Sequence, residues 1–206
     1  TNATRKSTEV MLDMLKQSLK YIDSAKYVLF DSWFCFPGTL LKIKGLGLHT
    51  IAMMKSMKTV KYSYQNKRLD LNNLYAAIRK KRGKAKILAS VIVGIGKDED
   101  ENEVLAKVVF VRDRNRSKKW LALISTDINL ADEEIIRIYS KRWGIEVFFK
   151  MCKSYLKLQK EFQGRSYDCM VAHTTIVFSR YIMLALESRY NKDIRLGENY
   201  FMFAVM

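Results

Sequence analysis

The chain has 206 residues, of which 49% are hydrophobic and 12% aromatic, so it can bury a core and is too apolar for a disordered tail. Its 37 lysines and arginines exceed its 21 acidic residues, and the net charge of +16 indicates a polyanionic partner, either nucleic acid or a membrane surface. The best apolar run is interrupted by Arg180, which argues against a membrane span. Three cysteines and two histidines without metal-binding spacing argue against zinc. The composition therefore favours a cytoplasmic protein that binds nucleic acid and no membrane.

The N-terminal quarter of the chain predicts a helix, a strand, a short helix and a second strand. The first helix begins at Ser7 and continues to about residue 24. The apolar segment 26–31 predicts a buried, central, parallel strand ending at Asp31. A short helix begins at Pro37, and residues 49–54 form the second strand. This order predicts a parallel βαβ unit, with Asp31 at the strand end where open α/β sheets hold ligands. Capping of the helix at Pro37 is the alternative role for Asp31.

The sequence becomes strongly basic after Lys55. Asp70 is placed to cap a helix that ends in the basic run 79–86, which is either a phosphate-binding patch or a solvated helix end. An antiparallel meander is predicted from three strands, at residues 86–94, 103–111 and 119–125. Residues 55–118 are accordingly predicted to be a β-rich insertion. It divides an α/β domain formed by residues 1–54 and 119–190, and residues 191–206 form a tail.

The segment from Tyr139 to Lys160 is predicted to be one continuous helix. Its apolar side, predicted to face a core, consists of Ile145, Phe148, Phe149, Cys152 and Leu156. Its polar stripe follows steps of 3, 4, 4, 3 and 4 residues through Tyr139, Arg142, Glu146, Lys150, Lys153 and Lys157. A single carboxylate among cations favours a site for a metal and a polyanion. A solvated charged face is the alternative.

The spacing Tyr139-(two)-Arg142-(three)-Glu146-(six)-Lys153 resembles the Tyr-Arg-Glu-Lys signature of the DDE transposases of the bacterial insertion-sequence IS-four family. The segment Tyr27-Val-Leu-Phe-Asp-Ser-Trp-Phe34 is similar to the motif around that family's second aspartate. The resemblance covers residues 9–190. It implies an α/β, ribonuclease H-like fold, here partial, with a β-rich insertion between the second catalytic aspartate and the catalytic glutamate.

The resemblance also implies an activity, which is cleavage of DNA at transposon ends and joining of the freed 3′-hydroxyl to target DNA. Two Mg²⁺ or Mn²⁺ ions need hard carboxylate ligands, and the resemblance implies that Asp31 and Glu146 supply two of the three. The residues implied to contact the DNA backbone are Tyr139, Arg142, Lys153, Lys150 and Lys157. The implied partners are double-stranded transposon-end and target DNA, together with a second copy of the chain in a synaptic complex, in the bacterial cytoplasm near the nucleoid.

One feature departs from the family pattern. The family's first catalytic aspartate lies on an earlier strand, whereas the acids preceding Asp31 are Glu9, Asp13 and Asp23, all in the predicted first helix. Asp127, further along the chain, falls among loop and cap residues and is a weak substitute. We therefore expect an N-terminally truncated transposase that is inactive by itself. A non-catalytic, DNA-binding remnant of a transposase is the alternative.

Overall fold

The computed structural model describes residues 5–81, 85–113, 119–159 and 163–190, and the chain divides into two compact units, Thr1–Lys141 and Arg142–Met206. The helices are α1 (Ser7–Ser18), α2 (Pro37–Gly45), α3 (Leu71–Ala77), α4 (Asp132–Ser140), α5 (Trp143–Ser154) and α6 (Tyr167–Tyr190). The strands are β1 (Tyr27–Phe30), β2 (His49–Met53), β3 (Tyr62–Tyr64), β4 (Lys67–Leu69), β5 (Ile87–Lys97), β6 (Glu103–Arg112) and β7 (Trp120–Ser125). The expected mixed α/β class is confirmed.

The first unit is built on one seven-stranded sheet with the order β1-β2-β7-β6-β5-β3-β4. β1 and β2 are parallel, with α2 between them in the chain, which confirms the βαβ unit. All other neighbours are antiparallel, and β5, β6 and β7 form the expected meander. The strands of the predicted insertion thus continue the same sheet as β1, β2 and β7. The predicted domain boundaries themselves stay a prediction.

The prediction that β1 is central is wrong. Within the described part of the chain β1 is hydrogen-bonded only to β2 and forms the edge of the sheet. Only Phe30 is buried, and the other three residues are half-buried. An apolar run indicates that the two faces of a strand are covered, because faces are contacted by side chains. It carries no information on whether both backbone edges are paired.

Both faces of the sheet carry a core. On one face, α1, α2 and α3 cover a large cluster that includes the fully buried Leu40, Leu74 and Phe110. On the other, Ile135 of α4 packs with Ile51 of β2 and with residues of β6 and β7. The predicted cap of α3 is confirmed, because the Asp70 carboxylate accepts the backbone N–H groups of residues 72 and 73.

The β3–β4 hairpin is a feature that the sequence analysis missed. Its two-residue turn consists of Gln65 and Asn66, both with positive φ, 48° and 61°. Two-residue hairpin turns of this kind are usually marked by glycine at the second position. Without glycine the turn gave no signal in the sequence.

The prediction of one helix from Tyr139 to Lys160 is also wrong. α4 ends at Ser140, whose hydroxyl donates to the carbonyl of Arg137, while the Lys141 N–H donates to the carbonyl of residue 138. These bonds tighten the last turn and end the helix. α5 begins at Trp143 and ends at Ser154, so Lys157 lies beyond it, with a left-handed backbone at φ 61°.

The second unit has a small core between α5 and α6. Cys152 and Leu156 are buried with Val177 and Leu184, and Phe148 stacks edge-on against two aromatic rings of α6. This agrees with part of the predicted apolar side. The rest was wrong, because Ile145 and Phe149 are exposed. The heptad-like spacing identifies a helix side but not how much of it a single neighbouring helix covers.

α6 is long and apolar enough to cross a membrane by length and composition alone. A single helix of this kind is weak evidence, since core helices of soluble proteins meet the same criterion. Arg180 and Glu187 lie within it, and charged residues inside a span are costly. The expectation that the protein binds no membrane stays a prediction.

Candidate functional site

Asp31 lies in a turn directly after β1, at the carboxyl end of the parallel β1–β2 pair. Its Oδ1 accepts the backbone N–H of Trp33 at 2.8 Å, and its side chain is exposed. Within the described residues, no protein donor contacts Oδ2. The alternative role as a cap is excluded, because α2 is preceded by Phe36 and has no side-chain cap. Asp31 is therefore held by its own turn with one carboxylate oxygen open to a ligand.

The acids that precede Asp31 in the sequence lie on α1 or shortly after it, and none of them ends a strand as Asp31 does. Glu9 and Asp13 lie on α1, as expected, but Asp23 follows the end of α1 at Ser18, so its predicted helical position is wrong. Asp13 is paired with Arg5, which holds the pKa of the Asp13 carboxyl below its ordinary value. Among the residues that the structure describes, no three His, Cys, Asp or Glu side chains are grouped to hold a metal.

Asp127 lies at the opposite end of the parallel pair from Asp31. It follows β7, and its Oδ2 accepts the hydroxyl of Tyr27, the first residue of β1, at 2.8 Å. The pKa of Tyr27 is raised, first by burial and then by this carboxylate. The Oδ1 of Asp127 accepts the backbone N–H of Asn129. Asp127 thus ties the loop after β7 to the sheet and does not complement Asp31.

Arg142 and Glu146 form an ion pair at the start of α5, with 3.1 Å between Arg142 Nη1 and Glu146 Oε1. Glu146, in the first helical turn, is favoured by the helix dipole, whereas Arg142 at the N-cap position is not. An arginine four residues before a glutamate is also the weaker orientation of such a pair. Helix stability explains the position of Glu146 but gives no reason for Arg142.

The break between α4 and α5 places Tyr139 on α4, whereas Lys150 and Lys153 share α5 with Glu146, four and seven residues after it. Tyr139 is half-buried and packs in the α4 cluster of the first unit. Lys150 and Lys153 are exposed on α5, and the Lys153 Nζ lies 6.0 Å from the centre of the Phe149 ring. Lys157 is half-buried after α5. The structure brings Arg142 and Glu146 together, and it places Asp31 and Tyr139 in the first unit.

The donors of Asp31 and Glu146 suit a hard divalent cation. Each is a carboxylate with one oxygen engaged in a local hydrogen bond, by Trp33 N–H and by Arg142 respectively. Mg²⁺ keeps several waters and takes only one or two protein carboxylates, so histidine or cysteine is not required. Trp33, which is 65% exposed beside Asp31, was assigned no role from sequence; its only signal was an aromatic residue in the turn.

The family described as "Transposase DDE domain" matches residues 1–178, and the chain belongs to this family. A curated relative from Synechocystis sp., named "Putative transposase for insertion sequence element IS4SA", is 34% identical over 115 residues. That match covers 50% of this chain and 33% of the relative, so the chain spans about a third of the protein that it matches. The resemblance to DDE transposases of the IS-four type is confirmed.

Proposed function

We propose that the chain binds double-stranded DNA and belongs to the machinery of metal-dependent DNA cleavage and strand transfer. The observation that carries the proposal is Asp31, which ends the first strand of a parallel pair with one carboxylate oxygen open, in a chain of the Transposase DDE family. Open α/β sheets hold their ligands at this end. A partial ribonuclease H-like arrangement, with β3 to β6 as its insertion, is part of the proposal.

Asp31 and Glu146 are the proposed metal ligands, for two Mg²⁺ or Mn²⁺ ions. Divalent ions held by these carboxylates would supply activation of the attacking water or 3′-hydroxyl and stabilisation of the leaving oxygen. The proposed role of Arg142 and Lys153 is to hold the DNA phosphate, the guanidinium through its planar fork and the ammonium as a point charge. Tyr139 is assigned a hydrogen bond to the DNA backbone, which requires its hydroxyl, buried in this structure, to become accessible. Lys150 and Lys157 extend the basic surface.

The proposal assigns two of the three carboxylates of a DDE site to this chain. The acids preceding Asp31 lie on or just after α1, and Asp13 is already neutralised by Arg5. The chain by itself is then expected to bind DNA and metal without cutting. The proposed assembly is a homodimer in a synaptic complex with two transposon ends and target DNA, in the bacterial cytoplasm near the nucleoid.

Terbium luminescence tests the metal ligands without requiring activity. Tb³⁺ is a hard, oxygen-binding cation, and Trp33 and Trp143 lie two and three residues from Asp31 and Glu146 in the sequence. Tryptophan-sensitised Tb³⁺ emission should appear with the wild-type chain, fall in Asp31→Asn and in Glu146→Gln, and disappear in the double variant. Mn²⁺ should compete with the signal. The matched control Asp127→Asn, which removes a carboxylate at the other end of the sheet, should leave it unchanged.

A second candidate function is a DNA-binding remnant with no metal site, favoured by the absence of a three-acid group among the described residues. It predicts duplex binding with Tb³⁺ emission that is the same in wild type, Asp31→Asn and Glu146→Gln. Mg²⁺-dependent nicking of plasmid DNA by the chain, abolished by Glu146→Gln, would instead show that two carboxylates are not the chain's full complement.

A further inference from the structure

Five strands of the first unit have an end at the same edge of the sheet. β1, β2 and β6 end at this edge. β7 and β5, which run in the opposite direction, begin there. The registers that establish this are Phe30↔Ala52, Ala52↔Ile124, Ile124↔Val108 and Val108↔Val91. We call this edge, with the residues immediately beyond each strand end, the Asp31 edge.

Basic residues follow the Asp31 edge from strand to strand. Lys55 comes just after Met54, whose N–H donates to the carbonyl of Ala122 on β7 at 2.8 Å. Lys119 directly precedes β7, and Arg112, the last residue of β6, pairs with Trp120. The Arg112 N–H donates to the carbonyl of Lys86, directly before β5, at 2.9 Å. Residues far apart in the sequence are therefore neighbours along one line.

Three of these residues present their charge to solvent. Lys55, Lys86 and Lys119 are exposed, and none of them forms an ion pair within the described part of the chain. Arg112 is half-buried and its Nε donates to the carbonyl of Ala85, so it fixes the edge. The acids placed at the edge are Asp31 and the half-buried Asp113.

The opposite edge of the sheet carries most of the acidic residues of the described strand ends, together with the exposed Lys26 and Lys97, and Lys97 is paired with Glu101. The turn between β5 and β6 contains Asp98, Glu99, Asp100 and Glu101, and Asp127 follows β7. β5 is 11 residues long, so roughly 33 Å of strand separates Lys86 at one end from the acidic turn at the other. The acids are thus concentrated at one edge, whereas the exposed lysines at the Asp31 edge have no ion pair within the described residues. Unpaired lysines in one line raise the positive potential at that edge.

The basic run at residues 79–86 resolves into separate roles. Lys80 donates to the carbonyl of Ala76, and its Nζ lies 4.9 Å from the centre of the Tyr75 ring, so it stabilises the end of α3. Lys86 belongs to the Asp31 edge. Residues 82–84, the middle of the run, lie outside the described residues.

The dimensions of the edge suit a nucleic-acid backbone. Four strand spacings separate β1 from β5, or roughly 19 Å, which corresponds to about five base pairs of duplex. Asp31 is one residue beyond the register level of Phe30, whereas Lys119 is five residues beyond Ile124 on that same level. Lys119 therefore lies roughly 13 Å further along the strand direction than Asp31, and β7, β6 and β5 all extend past Asp31 on this side.

We propose that the Asp31 edge is a track for the backbone of duplex DNA, along which Lys86, Lys119 and Lys55 contact successive phosphates and lead a phosphodiester to Asp31. Lysine contacts phosphates as a point charge and reads no bases, so the track positions DNA without selecting its sequence. This inference rests on the proposed function, because it takes DNA as the partner.

The test compares two triple variants with the same change in net charge. Lys55→Gln/Lys86→Gln/Lys119→Gln removes the track. The control Lys16→Gln/Lys42→Gln/Lys44→Gln removes three exposed lysines that line a cavity of about 880 Å³ beside the acidic turn. Binding of a short fluorescent duplex of arbitrary sequence to the full 206-residue chain is measured by anisotropy over a range of salt concentrations.

The track variant should lose about 2.7 from the slope of log K against log salt, and bind about 100-fold more weakly at ~0.15 M salt. The control should keep the wild-type slope. Equal losses in both variants would overturn the track and leave DNA binding intact, since only net charge would then matter. No duplex binding by the wild type would overturn the proposed function as well. A loss of binding to anionic lipid vesicles, with duplex binding unchanged, would assign the edge to a membrane and refute the track.

Discussion

Replacing Glu146 with glutamine should strengthen DNA binding while leaving the stability of the fold nearly unchanged. The carboxylate lies 3.1 Å from the guanidinium of Arg142, and the two side chains are 49% and 21% exposed. An exposed pair four residues apart in a helix stabilises by about 0.3–0.5 kcal/mol, and the arginine-first orientation lies at the weak end. The pair is therefore easily separated by a phosphate or a metal ion that competes for its members.

The expected gain in DNA affinity follows from one additional phosphate contact. Removing the negative charge beside Arg142 adds about 0.9 to the magnitude of the salt slope, which at ~0.15 M salt corresponds to about fivefold tighter binding. Arg142→Gln should have the opposite effect, with a slope smaller by about 0.9. Salt titrations by anisotropy measure both, and urea unfolding of the two single variants and the double variant measures the coupling in stability.

Two results would refute this reasoning. Weaker duplex binding by folded Glu146→Gln would mean that the carboxylate does not oppose a phosphate at Arg142. A coupling energy between Arg142 and Glu146 above about 2 kcal/mol would mean that the pair stabilises the position of α5 and is not readily separated by a ligand. Lys153→Gln is the matched control for Arg142→Gln in charge, because Lys153 lies seven residues after Glu146 on α5, beyond the reach of a direct pair. It should reduce the slope without coupling to Glu146.

Two further predictions concern the first unit. Phe110→Ala should lower the free energy of unfolding, measured by urea titration, by about 3–5 kcal/mol, because the buried Phe110 ring contacts Tyr75 and Trp120. The control Leu121→Ala, at a site that is 44% exposed, should lower it by about 1 kcal/mol or less. The N–H of Asn73 and then that of Asn72 hold the pKa of the Asp70 carboxyl below its ordinary 3.8. The stabilisation by this cap is therefore complete above pH 3.8 and is lost as the pH falls through the lowered pKa. Asp70→Asn should make the free energy of unfolding less dependent on pH in the acid range, and an unchanged dependence would contradict the cap.

Local patterns were sufficient to predict much of the fold. The apolar run before Asp31, the helix at Pro37 and the meander of β5 to β7 depend on short-range periodicity and on turn residues, and the structure has them. The edge position of β1 depends on pairing with the rest of the sheet, which periodicity does not encode. The end of α4 depends on a hydroxyl of Ser140 that competes with the backbone, and spacing alone does not reveal it.

The candidate site divides in the same way. The Arg142–Glu146 pair was within reach of sequence analysis because both residues share one helical turn. The line from Lys55 through Lys119 to Lys86 was not, since its members belong to three strands and become neighbours only through the registers of the sheet. The alignment of these lysines is a property of the topology.

The continuous sheet fixes the distance between β1 and β5. Every intervening strand is joined to the next by backbone hydrogen bonds, so the separation between β1 and β5 across the strands is a whole number of strand spacings, about 4.8 Å each. Loops can lengthen or shorten without changing that number. Loss or gain of a strand would change the distance between β5 and β1 by nearly 5 Å, which is more than the 3.4 Å rise of one base pair. A different phosphodiester would then lie at the Asp31 carboxylate. The hydrogen-bonded registers are therefore as strongly constrained as the charged side chains at their ends.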